Sequence, residues 1–401
     1  MNETDWLWRA GLVGRGVLVV LCLVAAGCTY APPAEQGGRS AERCVEEGRV
    51  LNVGFYAYFA PVSYSADEDP DAEGFQTHLG YEADLLTALE AMEGAGFAFA
   101  RHPIAVWDDI WLLAATPQYD IVGGGITILD SRTVDAAGRK AVAFTAGHVA
   151  FRQSLLVRAE DEGRLAGYDD LTGGVRVGAL AGTTGEFRLL ELVGLVDGDG
   201  VLAAGVRVET PGGAVVADGG PDYVITAAGE SDSLAGRRHL HPPSDDMPQV
   251  VYLGDETGET ALFEALEEGR IDAIARGEIG NRETAHARGG DFVVTALDED
   301  VEYGGFALAA EDGALAACLQ RMIDWLTDDR KIGYASWRED AGVFMRRAAL
   351  WNAAALTQEG TTDSNVPNAR RIASDSDAEA RELYPYHHLL GGTDGPDVLF
   401  L

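Results

Sequence analysis

Residues 123–132 read GGGITILDSR: three glycines, a short β-branched run, then an acid, a serine and Arg132. Glycines this dense let a backbone come very close to a neighbour. A guanidinium fork is the side chain best shaped to hold a carboxylate through two parallel hydrogen bonds where water is scarce. Arg132 is therefore a candidate anion clamp; the alternative is a loop arginine paired with Asp130 or with a solvent counter-ion. In "LAGTTGE", Thr183 and Thr184 open a helix directly after a glycine. Their hydroxyls and the first free N–H groups form a cradle for an anion or a dipole, or simply an N-cap with Glu186 completing the first turn. In "HLHPP", followed by Asp245 and Asp246, His239 and His241 would share one face of a strand. No third ligand stands at a diagnostic spacing, so no metal ion is expected.

These groups need elements to place them. "RVLNVGFYAYFAPVSY" predicts a buried strand over Val50–Phe55 and an aromatic loop; "GYEADLLTALEAMEG" predicts a helix closing at Gly94. "AFARHPI" predicts a second strand, "WDDIWLLAATPQ" a short helix and "YDIVGGGITI" a third strand running into the opening motif. Strands alternating with helices indicate an open α/β fold with a parallel sheet, and ligands in such sheets sit at the carboxyl ends of strands. The glycine–arginine segment lies at such an end. From about residue 155 a second unit begins with strand, glycine turn and helix, and returns with "VVYLGDETGETALFEALEEGRIDAIARGE". Between these, about 197–249, "PGG" and "DGGPD" turns separate alternating runs, which predicts a three-stranded antiparallel meander inserted in the second unit.

The chain has 401 residues and a formal net charge of −35, with Lys140 and Lys331 its only lysines. No basic stripe is present, which excludes nucleic acid as a partner. The acidity fits a high-salt habitat or a GC-rich genome that writes arginine for lysine. At the amino terminus, Arg9 and Arg15 precede "GVLVVLCLVAAGC", the charged, apolar, small-residue order of a secretory signal. Its ending is similar to a bacterial lipobox, with Cys28 as the lipidated residue, a signal peptide over 1–27 and a tether over 28–48. An exported protein anchored at the outer face of the cytoplasmic membrane, or in the periplasm, is expected. Cys44 and Cys318 then remain in an oxidising compartment, as a disulfide or as two buried thiols.

The blocks and their order resemble the bacterial extracellular solute-binding proteins of family 3, the polar-amino-acid type. "LNVGFYAYFAPVSY", "GYEADLLTALE", "WDDIWLLAATPQYDIVGGGITILDSR", "LAGTTGE" and "LEEGRIDAI" match that family's motifs in register, over about 49–195 and 250–345. The resemblance implies a two-lobe periplasmic-binding-protein fold of type II, with lobe 1 at 49–150 plus 309–352, lobe 2 at 151–308, and crossings near "SLLVR" and "YGGFALA". A tail over 353–401 would follow. It implies that Arg132 grips a ligand carboxylate beside Gly124, Gly125 and Thr127, that Phe59 and Trp107 sandwich the ligand body, and that Thr183 and Thr184 face it from lobe 2. Both cysteines would fall in lobe 1. The family's usual ammonium-binding aspartate is missing: Gly277 stands at its position and Glu278 follows one residue later. Either Glu278 substitutes for it, or the ligand lacks a conventional α-amino group.

The function implied is delivery of a small carboxylate-bearing solute, an amino acid or a relative of one, to a membrane permease of the ABC type. No cofactor and no covalent chemistry are required. The alternatives are an enzyme on the same fold, similar to cyclohexadienyl dehydratases with Glu82 or Glu278 as general acid, and a ligand-sensing domain for a membrane receptor.

Overall fold

The computed structural model describes residues 44–253 and 259–359. The signal segment, Cys28, most of the tether and the chain beyond 359 lie outside the described residues. No described helix is long and apolar enough to cross a membrane.

The chain enters through β1 (Arg49–Tyr56), buried almost continuously from Leu51 onward, the pattern of a parallel strand covered on both faces. Helix α1 (Tyr81–Ala91) places Tyr81, Leu85, Leu86, Ala88 and Leu89 on its buried side. It ends at Ala91, three residues before Gly94, because Met92 is already extended. Next come β2 (Phe97–Ile104), a single 3-10 segment over Ile110–Ala115, β3 (Ile121–Gly123) and β4 (Val142–Phe144). The third strand is shorter than the apolar run suggests. It stops at Gly123 because Gly124 and Gly125 take positive φ of 138° and 67°, which breaks the extended conformation.

The chain then leaves the first lobe through β5 (Val149–Phe151) and enters the second at β6 (Gln153–Arg158), followed by β7 (Arg176–Ala179) and α2 (Thr184–Leu192). The inserted region supplies β8 (Arg207–Thr210), β9 (Gly213–Val216), a small hairpin of β10 (Ile225–Thr226) and β11 (Gly229–Glu230), and β12 (His239–His241). After β13 (Gln249–Tyr252) come α3 (Thr260–Glu267), β14 (Ala273–Gly277), α4 (Glu278–Ala287) and β15 (Phe292–Leu297). The return passes through β16 (Glu302–Gly304) into β17 (Ala307–Ala309), and α5 (Gly313–Leu326), α6 (Tyr334–Glu339) and α7 (Val343–Glu359) finish the described chain. Helix α7 thus carries the stretch from 353, expected to be tail, on to Glu359; its Asn-Ala-Ala-Ala-Leu run favours helix.

The first sheet has the order β2-β1-β3-β17-β4, with β1 parallel to β2 and β3, and β17 antiparallel to β3 and β4. The second has the order β9-β8-β12-β13-β7-β14-β6-β15, parallel only at its β13-β7-β14 centre. Between the sheets, β5 and β16 pair antiparallel, Val149 opposite Gly304 and Phe151 opposite Glu302. The outward crossing therefore starts a few residues before "SLLVR", which itself belongs to the second sheet. This is a two-lobe α/β architecture, the fold class that the sequence resemblance implies.

Three inserted strands do extend the second lobe, with one change. The third is His239–His241, which pairs with both β8 and β13, while the "YVITAAG" run folds into the separate β10–β11 hairpin. Val208 and Leu240 are fully buried and belong to the core of lobe 2 with Val177, Leu189 and Val250, so the insertion shares that core. In lobe 1, Leu51, Leu85, Leu89, Leu319, Ile323 and Phe344 form a separate core.

Cys44 and Cys318 are bonded, with Cα atoms 5.4 Å apart and 274 positions between them in sequence. A closed loop of that length restricts the unfolded chain strongly, on the order of 5 kcal/mol in the chain-entropy model. The Cys44→Ser/Cys318→Ser double variant is expected to lose a large part of that stability in urea unfolding. A loss below about 1 kcal/mol would contradict this role for the bond.

Candidate ligand-binding site

The glycine segment is close to a carboxylate of its own chain. Gly124 N–H donates to Glu82 Oε2 at 2.7 Å and Gly125 N–H to Oε1 at 2.9 Å. His148 Nε2 lies 3.0 Å from the same Oε1, and both side chains are fully buried. Glu82 sits in the first turn of α1, His148 just before β5, and the glycines just after β3. One buried acid thus ties helix, hinge and strand end together, its charge answered by three hydrogen-bond partners. The glycines are needed for closeness: a Cβ on Gly124 would lie 2.5 Å from Tyr56 Cβ, and one on Gly125 2.6 Å from the Phe59 ring.

Beside this segment a cavity opens between the lobes. Phe59, Trp107, Gly125 and Thr127 line it from lobe 1, and Leu180, Thr183, Thr184, Leu262, Arg276 and Gly277 from lobe 2. Phe151 reaches it from the crossing strand β5 and Gln153 from the start of β6. A polar chain links three of these lining side chains to Glu302 behind them. Thr127 Oγ1 donates to Glu302 Oε2 at 3.0 Å, while Gln153 Nε2 donates to Glu302 Oε1 at 2.8 Å and to Thr184 Oγ1 at 2.9 Å. Thr183 is an N-cap: its hydroxyl accepts from Glu186 N–H at 3.1 Å and donates to Leu180 O at 2.8 Å. Glu186 in turn is held by Arg237 of the insertion through two 2.7 Å bonds, so the inserted strands brace the threonine turn.

Arg132 does not line this cavity. It is fully buried, and its Nε and Nη2 donate to Ala227 O at 2.9 and 2.8 Å. Nη2 also donates to Gly182 O at 3.2 Å, and Nη1 to Thr127 O at 3.3 Å. Trp111 lies under its guanidinium at 4.3 Å and Trp107 at 5.6 Å. The expected clamp is occupied by main-chain carbonyls, two of them in lobe 2, and so bridges the lobes. Trp107 joins the bridge, its indole N–H donating to Gly182 O at 3.0 Å. Burial lowers the Arg132 guanidinium to about 9, still cationic at neutral pH.

Gly124 also faces away from the cavity, its N–H spent on Glu82. Glu278 lies outside it, paired with Arg282 at 3.4 Å. Neither of the acids considered for catalysis, Glu82 and Glu278, lines the cavity.

Arg276 does line it, and sequence reasoning passed over it. It stands in β14 one position before Gly277, the place of the missing aspartate. Its guanidinium pairs with Glu259 and packs 5.6 Å from the Phe59 ring and 5.4 Å from that of Phe263. Its Nε and Nη1 are buried with no hydrogen-bond partner, as is Gln153 Oε1. Burial lowers Arg276 to about 10, so it too remains charged at neutral pH. Gly280 makes room for it: a Cβ there would lie 2.5 Å from the Arg276 guanidinium carbon. An arginine at the end of an otherwise apolar strand, "IDAIARG", was the visible signal.

Comparison with known proteins agrees with the sequence resemblance. No family model matches the chain. A curated relative, the "Probable histidine-binding protein" of Neisseria gonorrhoeae, is 28% identical over 194 residues, 48% of this chain and 61% of the relative. The chain therefore spans about three fifths of that relative's length. Among solved structures, holo ArgBP from T. maritima is 20% identical with a TM-score of 0.46, covering 72% of this chain and 95% of that one. An ABC uptake transporter substrate binding protein from Streptococcus pneumoniae with bound histidine is 17% identical, TM-score 0.46, over 76% and 92%. An ancestral amino acid-binding protein, a precursor of cyclohexadienyl dehydratase, is 19% identical, TM-score 0.47, over 75% and 95%.

Glu82→Gln keeps the shape but turns one acceptor oxygen into a donor facing N–H groups. It is expected to lower the unfolding free energy by about 2–4 kcal/mol. A change within about 0.5 kcal/mol, typical of an indifferent surface position, would remove Glu82 from its organising role.

Proposed function

We propose that this chain is an extracytoplasmic solute-binding protein of the family 3 type, which closes two lobes on a small zwitterionic amino acid or a close relative. The observation that carries the reading is Arg276: a buried cation in the interlobe cavity with two donor nitrogens lacking partners. Burying such a group costs free energy unless an acceptor completes it, and a ligand carboxylate supplies two acceptor oxygens in the matching geometry. Glu302 does not line the cavity but fixes two side chains that do, Thr127 and Gln153, and Gln153 Oε1, buried without a partner, is the acceptor offered to a ligand ammonium in place of the aspartate absent at Gly277. Phe59, Phe151 and Trp107 wall an apolar, aromatic or cationic side chain, the last through cation–π contact. The curated relative, a probable histidine-binding protein, supports an amino acid as the solute.

In this reading Arg132 is a latch. It favours the closed arrangement by bridging to Gly182 and Ala227, and affects affinity through the population of the closed state. The closed form docks on an ABC-type permease, and the amino-terminal segment anchors the protein through lipid on Cys28.

A thermal-shift screen of the twenty L-amino acids, followed by calorimetry on the best of them, tests the site. Wild type is expected to be stabilised by at least one, with arginine and histidine the first to try. Arg276→Ala should weaken that ligand about 100-fold, the scale of removing one partner from a buried charge pair. Arg132→Ala should keep the rank order of ligands at reduced affinity. Loss of binding in Arg132→Ala with none in Arg276→Ala would return the clamp to Arg132. No stabilisation by any amino acid, or turnover of prephenate or arogenate, would overturn the solute-binding reading.

A further inference from the structure

The inserted strands bring together a second set of chemistry-bearing side chains, away from the cavity. Strand β12 pairs antiparallel with β8 so that Glu209 stands opposite His239 and Arg207 opposite His241. Because side chains alternate along a strand, His239 and His241 emerge on one face, and the register puts Glu209 on that face beside them. The imidazoles stack with centroids 3.9 Å apart. His241 Nε2 lies 2.9 Å from Glu209 Oε1, and His239 Nε2 lies 2.9 Å from Gln249 Oε1 on β13. One donor atom from each of Glu209, His239 and His241 falls within 4.8 Å of the other two, and all three residues are half-buried.

We propose that Glu209, His239 and His241 form a site for a divalent transition metal, Zn²⁺ or a chemically similar ion such as Ni²⁺ or Cu²⁺. Two imidazoles and one carboxylate are a borderline nitrogen–oxygen set, suited to these ions and poorly suited to Mg²⁺ or Ca²⁺, which take all-oxygen shells. A tetrahedral ion with bonds of about 2.0–2.1 Å needs donors roughly 3.4 Å apart. The observed spread therefore closes with side-chain rotations of about an ångström. Gln249 orients the His239 ring from outside the ligand set, as partners of metal-bound histidines commonly do.

One competitor is built in. Arg207 Nη1 donates to the same Glu209 oxygen at 2.8 Å, with its side chain 42% exposed, so it must swing into solvent when the ion binds. The sequence alone lacked the third ligand because Glu209 lies 30 positions before His239 and arrives only through the β8–β12 register.

The test is calorimetric titration of the purified protein with Zn²⁺, with Co²⁺ absorption as a second readout. Wild type is expected to bind one equivalent with a visible Co²⁺ d–d band. The His239→Gln/His241→Gln variant should lose that equivalent and the band while keeping its far-ultraviolet circular dichroism. Arg207→Gln, an exposed change that leaves all three ligands in place, should tighten binding several-fold by removing the competitor. Undiminished Zn²⁺ binding in the double histidine variant, no uptake by wild type at 100-fold excess Zn²⁺, or weaker binding in Arg207→Gln would each overturn the proposal.

Discussion

The arrangement of the cleft depends on one buried carboxylate. Glu82 accepts from the backbone of Gly124 and Gly125 and meets His148 beside the outward crossing. Without it, two peptide N–H groups at the end of β3 would be buried and unpaired, and nothing would fix the sharp departure of the chain toward Thr127. The glycines, Tyr56 and Phe59 pack against one another because this turn holds them at contact distance.

On this frame the protein places two buried arginines with opposite states. Arg132 has its donors taken by Ala227, Gly182 and Thr127, so it is complete without any ligand. Arg276 keeps two donor nitrogens without partners beside aromatic rings, which in the function proposed above a ligand carboxylate completes. The difference between them is hydrogen-bond supply: Arg132 is fully buried, and Arg276 is nearly so, with its side chain 11% exposed. The insertion contributes to this division of labour. Its Ala227 carbonyl receives Arg132, and its Arg237 holds Glu186 under the threonine turn.

Much of the fold was legible because it rests on local pattern. The apolar run of β1, the helical spacing of α1 and the N-cap at Thr183 each follow from neighbouring residues, and the five motif blocks fixed their order. Of the residues singled out in the sequence, Phe59, Trp107, Gly125, Thr127, Thr183 and Thr184 line the cavity. What escaped depends on contacts far apart in sequence. The partner of Arg132 lies 95 positions away at Ala227, inside an insertion foreign to the motif blocks. Gln153 and Glu302 meet because two crossing strands pair 149 positions apart. The third inserted strand was misplaced because "YVIT" and "HLH" both alternate, and only the open edge of β13 decides which one joins the sheet.

The most direct measurement is a crystal structure with bound ligand, using the amino acid that stabilises the protein most. The account predicts the ligand carboxylate within hydrogen-bond distance of the Arg276 guanidinium, with Arg132 still bonded to the carbonyls of Gly182 and Ala227. A carboxylate seated on Arg132, with those carbonyls released and Arg276 facing only Glu259, would contradict it.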